Sequence, residues 1–311
     1  MKKLISLLLT AAMIAGIFAG CGSTEPTATT AAPVATEAPA APAETEAPAT
    51  EAPATEAPAT LKTVTPGVLT VAVSPDFAPM EFVDPSKEGQ DMYVGFDITL
   101  SKFVAEYLGL ELQIMPMSFD ACQTAVYAGV VDVSISGFSE TPERAENYNL
   151  SDEYIAGDNE SNHVLITLAS NGDMYATAES VKGVKIGAQN ASLQQNLVAE
   201  QLPDAQLVPF SDLGTAVLQL KSGDFACVAV ADGNAAAIIS ANPDIVKSGF
   251  VFETEDEGNV VLIQKGNDAM LKAINEAIAA CADQWAGWYE DAKNTAGIDQ
   301  SYDEYGNPIT E

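Results

Sequence analysis

The stretch from Val131 to Arg144, Val-Asp-Val-Ser-Ile-Ser-Gly-Phe-Ser-Glu-Thr-Pro-Glu-Arg, leaves a chain few ways to fold. Val131, Val133 and Ile135 alternate with small or polar residues at the strand period of two, and Gly137 lets the backbone turn. Thr141 followed by Pro142 is a helix N-cap with proline at the first helical position. A buried strand therefore feeds directly into a helix whose first turn carries Arg144. That is the unfavourable end for a cation, because the helix N-terminus bears partial positive charge. Two partners are open to it. One is a neighbouring acid, Glu140, Glu143 or Glu146; the other is a bound carboxylate seated between the guanidinium and the backbone N–H groups of the helix start.

The N-terminal 61 residues obey other rules. Lys2 and Lys3 precede an apolar run from Leu4 to Phe18 that is too short to span a bilayer comfortably, and Phe-Ala-Gly ends at Cys21. This resembles a bacterial lipoprotein signal (residues 1–21), in which Cys21 becomes the lipidated first residue; a plain secretory peptide is the alternative. Residues 22–61 are almost entirely Ala, Pro, Thr and Glu, with Glu-Ala-Pro-Ala-Thr in tandem. Nothing in that segment is large and apolar enough to offset chain entropy, so a disordered linker is expected, reaching on the order of 120 Å at about 3.1 Å per residue.

The remaining chain is long enough for two lobes with real cores. The formal net charge is −31, from 13 Lys and Arg against 44 Asp and Glu, which disfavours nucleic acid and anionic lipid as partners. Cys122, Cys227 and Cys281 each fall inside an apolar pattern and read as buried free thiols. A single His and the absence of a Cys/His cluster argue against a metal site, and neither a phosphate loop nor a nucleophile elbow is present.

Along the first lobe the strand Leu69–Val73 ends in Ser-Pro-Asp-Phe-Ala-Pro, which leaves Phe77 on a loop. Phe77 either covers the core or lines a cleft beyond the strand's carboxyl end. Asp97 is expected to N-cap a helix through Leu108 closed by Gly109; a strand from Leu110 to Met115 and a helix from Phe119 to Ala128 precede the Val131 strand. Alternating strands and helices predict a parallel sheet with ligands at the strand carboxyl ends.

Leu-Thr-Val-Ala-Val-Ser-Pro-Asp-Phe-Ala-Pro-Met-Glu-Phe, Val-Gly-Phe-Asp-Ile, the Val131–Arg144 segment and Asn-Leu-Ser-Asp-Glu-Tyr occur in that order. Together they resemble the family 3 bacterial extracellular solute-binding proteins that deliver polar amino acids to ABC transporters, over about Leu69 to Trp288. The resemblance implies an α/β fold of two periplasmic-binding-protein-like lobes joined by two crossing hinge strands, near His163–Leu168 and Gly258–Lys265. Lobe 1 would comprise 62–163 and 259–298, lobe 2 164–258, with a tail at 299–311. It also implies that Arg144 grips a substrate α-carboxylate, assisted by backbone groups around Gly137, Phe138 and Ser139. Phe77 and Phe96 would sandwich the side chain, the turn at Ser192 would add N–H groups, and Asp232 would pair with the α-ammonium. Ala191 stands where relatives carry Gly, which bears on the geometry of that turn. On its residues alone, Asp232 is an ordinary helix N-cap.

The function implied is a monomeric, lipid-anchored receptor, exported to the cell surface or the periplasmic face of the membrane, that passes a free amino acid to an ABC permease. No enzyme activity, cofactor or metal is expected. The alternatives are a dehydratase on the same scaffold, with Glu81 or Asp120 as its acid or base, and a surface sensor or adhesin. Ser74 occupies a position where family members selective for basic amino acids carry Asp. A neutral polar or small apolar ligand is therefore expected, with Asp76 keeping a basic one open.

Overall fold

The computed structural model describes residues 61–154, 162–254 and 258–298. Cys21 and nearly all of the linker, and the tail at 299–311, lie outside the described residues.

In chain order, β1 (Val68–Val73) leads to three short strands, β2 (Asp76–Phe77), β3 (Glu81–Val83) and β4 (Tyr93–Val94), which pair antiparallel as a flap beside the main sheet. Then come α1 (Phe96–Tyr107), β5 (Glu111–Pro116), α2 (Phe119–Tyr127), β6 (Val133–Ser139), α3 (Pro142–Asn147) and β7 (Tyr148–Leu150). The next group is β8 (His163–Leu168), β9 (Lys185–Gln189), α4 (Leu193–Gln201), β10 (Gln206–Phe210), α5 (Leu213–Ser222), β11 (Cys227–Ala231), α6 (Asp232–Ala241) and β12 (Ile245–Val251). The last is β13 (Asn259–Gln264), α7 (Asp268–Cys281) and α8 (Trp285–Thr295).

Two five-stranded sheets result, ordered β5-β1-β6-β13-β7 and β10-β9-β11-β8-β12. In each, three strands run parallel and the fourth is antiparallel, β13 against β6 and β8 against β11. The sheets are thus mixed where parallel ones were expected. The reason is connectivity: β8 and β13 each arrive from the other lobe, enter at the end where the parallel strands finish, and must run back against them. These two strands lie wholly within their sheets. The described ends of the two connections between the lobes lie side by side, Tyr154 with Asn259 and His163 with Phe252. Both are pinned: Tyr154 and Asn259 exchange two backbone hydrogen bonds of 2.8 Å, and Phe252 N donates to His163 O at 2.9 Å.

Strand alternation divides each lobe into two apolar layers. Leu69, Val71 and Val73 of β1 face α1, α7 and α8, whereas Ala72, Val260 and Leu262 face α2. In the second sheet Val228 and Val230 meet α5 and α6, and Cys227 and Ala229 meet α4. Each large aliphatic side chain so buried contributes about 1.5–3 kcal/mol. The three cysteines among the described residues are buried free thiols, as their patterns predict.

Helix starts decide where the chemistry points. Thr141 caps α3 as expected, its Oγ1 accepting from Arg144 N at 3.2 Å with Pro142 behind it. At α1 the expectation of an Asp97 cap is corrected: Gly95 is the cap and Asp97 lies in the first turn. Gly95 holds φ 118°, and a Cβ there would fall 2.3 Å from Met80 O, so only glycine lets the chain turn beneath that carbonyl. That turn aims both Phe96 and Asp97 inward.

Candidate functional site

A cleft between the two lobes is lined on one side by Phe77, Phe119, Ser136, Gly137, Ser139 and Arg144, and on the other by Gln189, Ser192, Leu193 and Gln194. The first set comes from the carboxyl ends of strands and the helix starts after them, the second from the turn between β9 and α4. Parallel strands put their carboxyl ends on one edge, so both lobes present their loops to the same gap.

Arg144 is buried and organises the first wall. Its Nη1 donates to Ser139 O at 2.6 Å, Nη2 crosses the cleft to Ala191 O at 3.0 Å, and Nε reaches Gln123 Oε1 at 3.4 Å. The guanidinium carbon lies 5.1 Å from the Phe138 ring centroid and 5.5 Å from that of Phe119, and these rings stack at 4.6 Å. Such contacts hold the cation in place at little cost in mobility.

Opposite it, Ser192 caps α4, its Oγ accepting from Gln195 N at 3.1 Å. Ala191 adopts φ 60°, the left-handed conformation that glycine would take without strain. Ala191 thus holds this turn in the left-handed form.

The lobes also touch directly. Asp76 of β2 accepts from the backbone N–H of Leu213 at 2.8 Å and from Gln189 Nε2 at 3.3 Å, while Ser74 Oγ donates to its other oxygen at 2.9 Å. Asn190 Nδ2 donates to Asp120 at 3.1 Å, Gln123 Nε2 to Ala191 O at 3.1 Å, and Asn234 Nδ2 to Ala78 O at 3.1 Å. The structure is therefore a closed arrangement. Burial pushes the Asp76 carboxyl above its ordinary range, with the Leu213 N–H and Ser74 hydroxyl opposing the shift.

The expected site residues separate into four groups. Phe77, Gly137, Ser139, Arg144 and Ser192 line the cleft. Phe138 stands behind it, fully buried against Phe119 and Arg144. Phe96 is a correction: it is 0% exposed in the core of the first lobe, 6.0 Å from Tyr154, 6.2 Å from Trp288 and 6.4 Å from Tyr289. The aromatic that faces Phe77's side of the cleft is Phe119, which follows the carboxyl end of β5 as Phe77 follows that of β1; this positional signal was available in the sequence. Gln189 and Gln194 carried no comparable signal.

Asp232 is the first residue of α6, with Ala231 as the cap, and it lies outside the cleft lining. Its Oδ1 is 2.6 Å from Lys247 Nζ of β12, so this carboxylate has a protein cation as a partner. Among the described residues no cluster of His, Cys, Asp and Glu could hold a metal ion. What the cleft offers is one fixed guanidinium, a capped helix start and two ring faces, a set suited to gripping a small carboxylate-bearing molecule rather than to breaking bonds.

Comparison with known proteins agrees with that geometry. Residues 69–291 match the model of the bacterial extracellular solute-binding proteins, family 3. The chain is 30% identical to the arginine-binding extracellular protein ArtP of Bacillus subtilis, over 67% of this chain and 80% of that protein. Among solved structures, the amino acid ABC transporter substrate-binding protein AbpA of Streptococcus pneumoniae bound to L-arginine superposes with a TM-score of 0.69 at 32% identity, over 75% of this chain and 97% of that one. An ancestral arginine-binding protein bound to glutamine gives a TM-score of 0.64 at 29% identity, over 74% and 98%. Paired mixed sheets, a cleft at their strand ends and a family match across both lobes make this chain a member of the family 3 bacterial extracellular solute-binding proteins, and a binding protein rather than an enzyme.

Proposed function

We propose that the protein is a lipid-anchored receptor that closes on a free amino acid, basic ones foremost, and presents it to the permease of an ABC importer. The observation that carries this reading is Arg144, held over two aromatic rings and reaching across the cleft to the turn that starts α4. A substrate α-carboxylate would take the place of Ala191 O as a partner of Nη2 and meet the N–H groups beside Ser192, so a single group would bind both lobes and favour closure. Phe77 and Phe119 would flank the side chain, with Gly137 and Ser139 supplying backbone contacts. Asp232 would share its charge between Lys247 and the ligand ammonium.

A basic ligand reverses the expectation drawn from Ser74. Support comes from the arginine complexes of the relatives and from Asp76 and Asp120, two acids in cross-cleft hydrogen bonds whose partners there are neutral donors. The negative net charge would attract cations at long range as well. In this reading Cys21 carries the lipid, 22–61 is the tether, 62–163 with 259–298 and 164–258 are the lobes, and the monomer is the working unit.

Thermal unfolding with each of the twenty amino acids tests the proposal. Saturation at about 100 times Kd stabilises by about 2.7 kcal/mol. For a domain of this size that raises Tm by roughly 5–10 °C. Arginine or lysine should give the largest shift. A larger shift with glutamine, serine or alanine would return the ligand to the neutral class, and no shift with any of them would remove the amino-acid reading.

A further inference from the structure

Beneath the cleft floor lie two carboxyl groups that ligand binding leaves without a task. Glu81 of β3 and Asp97 of α1 are both fully buried. Each reaches one residue of the same turn: the Ser136 hydroxyl donates to Glu81 Oε1, and Gly137 N donates to Asp97 Oδ2 at 2.7 Å. Ser136 Oγ also accepts from Ser74 N at 3.0 Å, which ties the end of β1 to the same unit. Ser136 and Gly137 line the cleft, and a Cβ on Gly137 would lie 3.2 Å from the Phe77 ring, so this turn has no slack.

Glu81 Oε2 and Asp97 Oδ1, the remaining oxygens of the pair, are buried together; the Tyr154 hydroxyl beside them can donate to Asp97, which leaves Glu81 Oε2 without a donor among the described residues. Orphaned buried oxygens are uncommon and costly. Two ionised carboxylates cannot satisfy each other, since both only accept; a proton on one makes it a donor to the other. The two groups are close enough for that bond.

We propose that Glu81 and Asp97 are positioning residues for the ligand site, sharing one proton and, as a carboxyl–carboxylate pair, holding the Ser136–Gly137 turn in the shape the ligand meets. This rests on the cleft being the ligand site. Around the pair stand Asp76 of β2, the Tyr154 hydroxyl and the Cys122 thiol of α2, with Tyr289 of α8 behind the Phe96 ring. None of these four is a cation, and Arg144 donates instead to Ser139 O, Gln123 and Ala191 O.

Burial and mutual repulsion push Glu81 well above the carboxylate range, and burial raises Asp97 to about 7. Raised acids stabilise the fold fully below their unfolded pKa and lose that contribution as pH rises through the folded value. Asp97, the lower of the two, ionises first, near 7, so the pair carries two protons in mildly acidic solution and one shared proton, kept by Glu81, above neutrality.

Calorimetry on the full chain, with L-arginine as probe, tests this. Wild-type affinity should rise roughly tenfold between about pH 6 and about pH 8.5, as the pair passes from two protons to one. In Glu81→Gln, whose amide is a donor at every pH, the change should stay under about threefold. Any titration of the ligand itself is common to both proteins. Infrared spectra of the ligand-free wild type should show an un-ionised carboxylic acid near neutral pH that is lost in Glu81→Gln; if that variant does not fold, Asp97→Asn supplies the same fixed donor. Parallel pH profiles in wild type and variant, or no un-ionised acid near neutrality, would overturn the proposal. If arginine binds at no pH, it is the ligand reading that fails, and the infrared signal still judges the pair.

Discussion

Arg144 occupies a helix start, where the backbone dipole disfavours a cation, yet it is among the most constrained side chains of the cleft. Ring faces and carbonyl oxygens replace the water it has lost. Arg144→Ala should weaken amino-acid binding by roughly 2–5 kcal/mol, because the substrate carboxylate would stay desolvated and unpaired. Affinity within threefold of wild type by calorimetry would remove Arg144 from the site. Ala191 makes the opposite case. Its φ of 60° is strained for an L-residue, so Ala191→Gly should raise unfolding stability by about 1 kcal/mol, read from denaturant midpoints at constant m-value. A loss of stability would mean that the gain in unfolded-chain entropy outweighs the relieved strain.

Among the elements, α1 and α2 begin with an aromatic residue apiece, and the two residues have different fates. Phe96 enters the core because Gly95 turns the chain under the Met80 carbonyl; Phe119 follows Ser118 at the end of β5 and stays at the cleft. Phe96→Ala should therefore cost about 3–5 kcal/mol of stability, as large-to-small core changes do. Phe119→Ala should also cost stability, since that ring packs on Phe138 in the core beneath α2, but unlike Phe96→Ala it should weaken affinity by about 1 kcal/mol or more through loss of a ring against the ligand and the guanidinium. Thermal melts and calorimetry on both variants separate the two roles; the reverse pattern would restore Phe96 to the site. The motif order was legible from residue types alone, because strand alternation, Thr-Pro caps and helix-closing glycines are local signals. Which face of a helix start meets the cleft was not, since one positive-φ glycine redirects everything after it.

At the scale of the molecule, two sheets of the same strand plan face one another, joined by two pinned crossings and by side-chain hydrogen bonds that need no ligand. Closure should then draw on these bonds as well as on the ligand. The lipid anchor proposed for Cys21 would keep this unit near its permease on a tether with no apolar surface of its own. Cys21→Ser should move the protein from the membrane fraction into the soluble fraction or medium with its affinity unchanged, since only the acyl chains would hold it. Retention of the variant on membranes, followed by fractionation and blotting, would count against the lipoprotein assignment.

Residue order alone sets the alternation of strands and helices, the buried state of Cys122, Cys227 and Cys281, the Thr141 cap and the placing of Arg144 beside it, because each depends on residues within one or two turns of chain. The chain's ordered motifs also pointed to the family that the comparisons bear out. That the sheets are mixed follows from packing and not from local pattern, since strand direction depends on where the chain re-enters a lobe. Tertiary structure also paired Asp232 with Lys247, sent Phe96 inward and brought Glu81 against Asp97. Those contacts join different elements within one lobe, and no local period or spacing encodes them; they exist because packing those elements together leaves the buried groups no other neighbours.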